Sequence, residues 1–408
     1  PAAKGPGRAL VPRRGARYLL GVAPRPRRGP VAAFFRRASM YRAPDFSLPR
    51  FSDAPDAAFA PAPGDGVLPE GFFSTTNLPT YVRVGGEWKL PRDPRMDSAL
   101  VLDDDLVPRV LEARYVRAGQ PVAMGLAEDG SGGIFVHAAG LMGDPDQGPE
   151  GEFKFMSSEV SREKPTDYHE MARILVEERE RGGHFVWVVG PAVLHSRGRD
   201  TLAWFVKNGF VGVMFGGNAV AVHDIESATM GTTLGMNGRG IPMEGGHAFH
   251  MRAINRVRAA GSIPAAVEQG IIESGIMHAL VTCGVPYVLA GSIRDDGPLP
   301  DTITDALACQ EAMKEHTRNA TAVIMIATAL HSIATGNMLP SYVWREETGE
   351  VRPLTTICVD SSEFVVSKLK DRGTHQAFGV ITNAQDFLHV LRHYVELEVA
   401  TRQPAVVG

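Results

Sequence analysis

The chain has 408 residues, enough for two or three domains, and a 44% hydrophobic content that can build real cores. Its three cysteines, Cys283, Cys309 and Cys358, form no CxxC pair and exclude a disulfide scaffold; each sits in or beside an apolar run and is expected to be buried. No apolar run is long enough to span a membrane as a helix, and the net charge of −4 hides an asymmetry, because residues 1–43 hold ten Arg, one Lys and no acid, which puts +11 there and −15 on the rest.

Residues 1–66 read as a basic, Pro/Arg-rich extended arm that ends in the low-complexity stretch DAPDAAFAPAPGDG. An Arg-rich, acid-free start is the pattern of an organellar presequence, mitochondrial rather than plastid, with a cytoplasmic chain as the alternative. Proline-rich arms of this kind also present backbone and apolar anchors to a protein partner, so the arm is expected to dock in an assembly, with a phosphate-binding role left open. Residues 67–160 change to short runs with turn punctuation, YVRV, SALVLD, GGIFVHAAG and EFKFM, and predict a small β-rich domain. A loop and a helix that ends at Gly182 and Gly183 follow.

From residue 161 the pattern becomes α/β. The runs HFVWVVG, GFVGVMFGG, VPYVLAGS, ATAVIMIAT, TTICVD and AFGVITN are apolar on both faces, which predicts parallel strands covered by helices on each side. Helices are expected at 199–208, 219–229, 247–270, 302–318, 362–371 and 384–401. The result is a doubly wound parallel sheet over 161–408. In such sheets ligands bind beyond the carboxyl ends of the strands, at a reversal of strand order. The residues there are Gly190 and His195; Gly216, Gly217 and Asn218; Ser292, Arg294, Asp295 and Asp296; His331 and Ser332; Asp360; and Thr382 and Asn383.

Asp360, directly after TTICVD, is placed to accept both hydroxyls of an adenosine ribose or, alternatively, to cap the next helix. FGGNA sets two glycines before a helix N-terminus that favours phosphate, although no GxGxxG follows the first strand. On the loop GSIRDDGPLPD, Arg294 can hold a carboxylate while Asp295 and Asp296 hold an ammonium group. His247 and His250 lack a third ligand at metal spacing, so no metal is expected.

The motifs VVGPAVLHS, FGGNAVAVHDIE, GTTLGM, EGGHAFHMRAIN, YVLAGSIRDDGPLPDTITD, ALHSIATGNMLPS, CVD and KLKDRG occur in that order. They resemble the domain named after lysine-oxoglutarate reductase and saccharopine dehydrogenase, in the form found in archaeal ornithine cyclodeaminases and the C-terminal part of cyanobacterial arginine dihydrolase/ornithine cyclodeaminases. GFFSTTNLPTYV and FMSSEVSREKP resemble that family's smaller β-rich domain. The resemblance implies a deoxyhypusine-synthase-like, Rossmann-type fold and NAD as cofactor, with contacts at Asn218, Ala219, Asp296, Ala329, Leu330, His331, Ser332, Asp360, Thr382 and Asn383. It implies a redox-neutral conversion of a small basic amino acid, ornithine to proline and ammonia, with Asp295, His223, Asp224 and His247 as candidates for the catalytic roles. It also implies a homo-oligomer. Where the family has GGHRNH and CVDINP, this chain has GGHAFH and CVDSSE, and Ala329 stands where a methionine is usual; the alternative function is a non-catalytic subunit that keeps the fold.

Overall fold

The computed structural model describes residues 41–402 except 104, 142–166, 196, 296, 346–348 and 372–375. The EFKFM run and most of the basic arm therefore lie outside the described residues.

Residues 41–141 form two small antiparallel sheets. Phe59–Pro61 (β1), Pro121–Ala123 (β6), Ala99–Leu102 (β4) and Pro108–Leu111 (β5) line up in that order, and Glu87–Lys89 (β3), Thr80–Val84 (β2) and Ile134–Val136 (β7) make the second sheet. Their inward residues Phe73, Val82, Leu100, Ala123 and Ile134 share one core.

The arm expected to extend to residue 66 is corrected here. β1 pairs with β6 in register Phe59 to Ala123, and the short helix Pro49–Ser52 (α1) buries Phe51. The Phe51 ring meets Trp88 and Phe135 edge-on at centroid distances of 5.6 and 4.7 Å, while Trp88 Nε1 donates to the Phe51 carbonyl at 3.2 Å. Residues 46–66 dock on their own chain because aromatics spaced through the Pro/Ala-rich stretch supply the apolar area that its composition hides.

The larger body is a seven-stranded sheet in which every pairing is parallel. Its strands in chain order are His184–Val189 (β8), Val213–Gly217 (β9), Tyr287–Ala290 (β10), Thr302–Ile303 (β11), Ala320–Ile326 (β12), Thr355–Asp360 (β15) and Gln376–Ile381 (β16); a hairpin of Val343–Arg345 (β13) and Glu350–Arg352 (β14) precedes β15. All six expected strands form; β11, two residues long, was hidden inside the segment expected to be helical from 302. The spatial order β11-β10-β9-β8-β12-β15-β16 means that the chain builds outward from β8 in one direction, then returns to β8's other side. The reversal falls between β8 and β12.

The strands are apolar on both faces because both faces are covered. Phe185, Trp187, Met214, Leu289, Ile324 and Ile357 point into one core, with helices Tyr168–Glu180 (α2), Arg199–Lys207 (α4), Asn218–Met230 (α5), Phe249–Ala260 (α6), Ile263–Glu268 (α7), Gly275–Thr282 (α8) and Ala384–Arg402 (α12) around it. Val186, Val188, Phe215, Val323 and Met325 point the other way, against Ala306–Thr317 (α9), Ala329–Met338 (α10) and Glu363–Asp371 (α11). A four-residue helix, Ala192–His195 (α3), follows β8. The expected single helix over 247–270 is broken by Gly261, whose φ of 99° stops α6; Ser262 then caps α7 through Ala265 N at 3.2 Å. Cys309 and Cys358 are buried as expected, but Cys283 is exposed because it follows the last turn of α8.

Candidate functional site

At the reversal, the ladders from β8 to β12 and from β12 to β15 each continue one residue beyond the strands. Gly190 N donates to the Ile326 carbonyl at 2.9 Å, and Ala327 N donates to the Val359 carbonyl at 2.9 Å. A Cβ on Gly190 would overlap the Ala327 carbonyl, so the glycine is what allows the two strand ends to meet. Ala327 is held at a φ of 55°, a left-handed conformation that costs a non-glycine residue about 1–2 kcal/mol. Strain of this kind persists where the surroundings over-determine the backbone, and it collects at ligand sites.

Two helices start at this edge with no side-chain cap. Gly217 precedes α5 and Thr328 precedes α10, and neither supplies a capping hydrogen bond to its helix. The first-turn N–H groups of both helices are thus left for an anion, favoured by the positive end of each helix dipole. The two turns face each other: a Cβ on Gly217 would lie 3.0 Å from Cε1 of His331. His331 is half-buried, with Nδ1 3.3 Å from Thr328 Oγ1. Burial lowers its pKa, and the charge of Asp295 pulls against that. Asp295 is itself held by the Ser292 amide, which donates to its carboxylate at 2.7 Å.

Asn218 is buried, and its side-chain oxygen accepts from Leu299 N at 3.0 Å and Thr302 Oγ1 at 3.1 Å. It therefore pins the loop carrying Asp295 to the start of α5, and Ala219 follows on the helix. Ala329 and Leu330 are exposed on the first turn of α10, Leu330 at 73%. Ser332 is different: it is fully buried, with its hydroxyl turned into the packing and lacking a partner. One residue beyond the first turn, its N–H is committed to the helix, and its hydroxyl is the polar atom there that still lacks a partner.

Farther along the edge, Asp360 is half-buried at the end of β15 and accepts from Ser362 N at 2.9 Å. Thr382 N donates to the Asp360 carbonyl at 3.1 Å. The Asn383 side chain is engaged in capping α12, accepting from Asp386 N at 2.8 Å and donating to the Asp386 carboxylate at 2.5 Å. Asp296 lies outside the described residues.

The expected catalytic residues lie on three segments: Asp295 on the loop after β10, His223 and Asp224 on α5, and His247 on the turn before α6. Asp224 is fully buried and receives Arg199 Nε at 2.6 Å, Ile276 N at 3.1 Å and Met277 N at 2.8 Å. Burial pushes its pKa up, against Arg199 and the two amides. It ties α5 to the start of α8 and to α4, out of reach of a substrate, which corrects the catalytic expectation for it.

His223, one residue earlier, turns to the other side. Its Nδ1 lies 3.1 Å from Glu226 Oε2, and its ring meets that of His195 at 5.0 Å, edge to face. Burial lowers the pKa of His195, and His223 adds to that. His247 is exposed on a single 3-10 turn, Gly246–Ala248. Glu226 was missed from the sequence, yet the i, i+3 spacing of His223 and Glu226 on one helix face was a signal for it.

A cleft of about 1050 Å³ lies between the β-rich layers and the larger body. His184, Ala320 and Thr321 line it, which puts it at the amino ends of β8 and β12. Ligands of parallel sheets bind at the opposite ends, and several of its charged groups are paired with one another, as in Arg95 with Glu112 and Lys314 with Glu112. Among the described residues, no helix is long and apolar enough to cross a membrane.

The comparisons agree with this architecture. The family described as "Arginine dihydrolase ArgZ-like, C-terminal, Rossmann fold" matches residues 169–391, and its "first region" matches residues 79–169. Ornithine cyclodeaminase of Methanopyrus kandleri is 46% identical over 336 residues, 80% of this chain and 76% of that one. The enzyme of the same name from Archaeoglobus fulgidus is 44% identical over 347 residues, 84% of this chain and 79% of its own. Among solved structures, a LOR/SDH protein from Methanococcus maripaludis S2 is similar with a TM-score of 0.74 at 41% identity, covering 84% of this chain and 99% of that chain. AgrE in ternary complex with ornithine and NAD+ is similar with a TM-score of 0.53 at 35% identity, covering 87% of this chain and 47% of that chain. With a Rossmann-fold domain matched across more than half its length and archaeal relatives matched over most of theirs, the chain belongs to the ornithine cyclodeaminase family.

Proposed function

We propose that the chain is an NAD-dependent ornithine cyclodeaminase that converts ornithine to proline and ammonia. The observation that carries this reading is the strand-order reversal flanked by two helix N-termini without side-chain caps, with a half-buried carboxylate, Asp360, at the next strand end. That set fits a dinucleotide: backbone N–H groups of α5 and α10 for the pyrophosphate, and Asp360 for a ribose. The complex of AgrE with ornithine and NAD+ supports the pairing of cofactor and substrate.

When bound, a nicotinamide supplies a reversible hydride acceptor, so that oxidation at the α-carbon and reduction of the cyclic imine cancel. The chain's own residues hold the substrate and manage protons. Asp295, steadied by the Ser292 amide and facing His331, is the acid that would receive a cationic amine. Asn218 keeps that loop against α5, so the acid and the phosphate-binding turn keep their spacing. His223 is the proton carrier, and the imidazole of His331 closes the wall between the two turns.

The second reading, a subunit that keeps the fold without turnover, is favoured by Ala248 and Phe249 in GGHAFH, which offer no polar group beside His247. One experiment separates the two. Ornithine deuterated at the α-carbon, incubated with the chain and NAD, is expected to give proline that retains the label, with no net cofactor reduction. Accumulating reduced cofactor would indicate an ordinary dehydrogenase. Absence of turnover with any basic amino acid would favour the subunit reading.

A further inference from the structure

Glu226 has no solvent exposure and receives four hydrogen-bond donors. Thr232 Oγ1 donates to Oε1 at 2.9 Å and Gly235 N donates to the same oxygen at 2.8 Å. Leu234 N donates to Oε2 at 3.1 Å, and His223 Nδ1 lies 3.1 Å from Oε2. Burial alone would raise the pKa of this carboxyl; the contacts from His223, Gly235 and Thr232 together outweigh that and hold it below the ordinary value.

A neutral amide accepts through one oxygen only, whereas Glu226 accepts loop amides at both, Gly235 N at Oε1 and Leu234 N at Oε2. Burying a full negative charge is costly unless something gains from it. The 232–235 loop gains from it, and so does His223, because a carboxylate facing Nδ1 favours the Nδ1–H tautomer. The same carboxylate also reaches the segment bearing His247. Gly235 packs backbone to backbone against Gly246, where a Cβ on either would overlap the other, and Met243 N donates to the Gly235 carbonyl at 2.9 Å.

We propose that Glu226 is a positioning residue: through Nδ1 it fixes the tautomer and rotation of the His223 imidazole, leaving Nε2 to take up and return a proton during turnover. The proposal rests on the cyclodeaminase reading above. Before hydride can leave the α-carbon, the α-ammonium must lose a proton. That proton passes to Nε2, giving an imidazolium paired with the Glu226 carboxylate, and returns to the amine nitrogen as it departs. Among the described residues, the titratable group besides Glu226 that faces His223 is His195 on α3; the buried Asp224, paired with Arg199, is the next residue along the helix. The His223 side chain is 12% exposed, enough for one ring edge to reach a ligand.

The test uses the full chain with 15N-labelled histidine. Wild-type His223 is expected to be the Nδ1–H tautomer at pH 8. In Glu226→Gln the amide oxygen can stay on Thr232 and Gly235 while the NH2 takes the place of Oε2, which leaves Leu234 N without that acceptor and should convert His223 to the Nε2–H form. Ornithine turnover should then fall roughly 100-fold, with the KM for ornithine and the Kd for NAD changed less than about 3-fold. An Nε2–H tautomer in the wild type overturns the proposal without any variant. So does a Glu226→Gln chain that keeps its tautomer and turnover, or one whose NAD affinity falls in step with kcat. The tautomer readout needs no turnover, so a wild-type chain inert toward ornithine would sink the cyclodeaminase reading and be told apart from a failure of orientation.

Discussion

Asp360 has two jobs open to it, capping and ribose binding, and a single substitution separates them. Its Oδ1 accepts from Ser362 N at 2.9 Å, just ahead of α11. An asparagine at this position keeps an oxygen for that amide, so Asp360→Asn leaves the cap in place. What it removes is the charge and one acceptor. A charge-assisted hydrogen bond contributes about 1.5–3 kcal/mol, which at about 1.4 kcal/mol per tenfold is roughly a 10- to 150-fold weaker Kd for NAD. The stability change should stay within about 0.5 kcal/mol, since asparagine and aspartate are near equals as caps. Calorimetric titration with NAD, paired with a thermal melt, reads both quantities on one sample. The decisive contrary result is an unchanged NAD affinity in Asp360→Asn: the carboxylate would then be a helix cap and nothing more, and the ribose would have to sit elsewhere on the edge.

Removing Arg199 leaves the fully buried Asp224 carboxylate without its cation, so Arg199→Ala should destabilise the chain by about 3–5 kcal/mol in denaturant unfolding; a loss under about 1 kcal/mol would mean that the two helix amides alone satisfy it. Phe51→Ala should cost about 3–5 kcal/mol by emptying the site between Trp88 and Phe135, and a melt identical to wild type would return residues 46–66 to the status of a loose arm. Stability should also fall on acidification. Burial lowers the folded pKa of His184, His195 and His331 below the ordinary 6.5, so between those values the unfolded chain binds more protons and the folded state loses ground as pH drops through 6.5. Thermal melts between pH 8 and 5.5 should show a falling midpoint, and a rising one would refute the assignment of these rings as neutral in the fold.

The strands of the larger body were legible because covering a parallel sheet on both faces demands continuous apolar runs, and six such runs stand out. β11 was not legible: two residues, Thr302 and Ile303, carry no periodicity, and their pairing with β10 is set by the loop that Asn218 and Asp301 hold in place. Residues 46–66 failed for the opposite reason. Proline and alanine dominate the composition there, while Phe46, Phe51 and Phe59, spaced five to eight apart, fit neither the helical nor the strand period, so their burial could only come from tertiary packing. At the site, Asn218 and Asp360 were found by position, as the first polar residues after buried strands. The acids of HDIE could not be sorted by position alone. Asp224 and Glu226 are two residues apart on α5 and so point to different sides, one toward Arg199 and α8, the other toward His223 and the 232–235 loop.

That division makes α5 more than a cover for the sheet. Its first turn presents N–H groups at the strand-order reversal, its middle carries His223, and its two buried acids moor everything that follows it as far as α8. Asp224 accepts the opening amides of α8; Glu226 accepts the amides of the loop that leads to His247. Neither tether contacts the first turn of α5, yet both fix segments relative to that helix. A displacement of α5 would therefore move its first turn and His223 together, so their spacing is a property of one helix rather than of two independently placed loops. Asp295 reaches the same edge through the loop that Asn218 pins to α5, so its spacing to that helix is also set by α5.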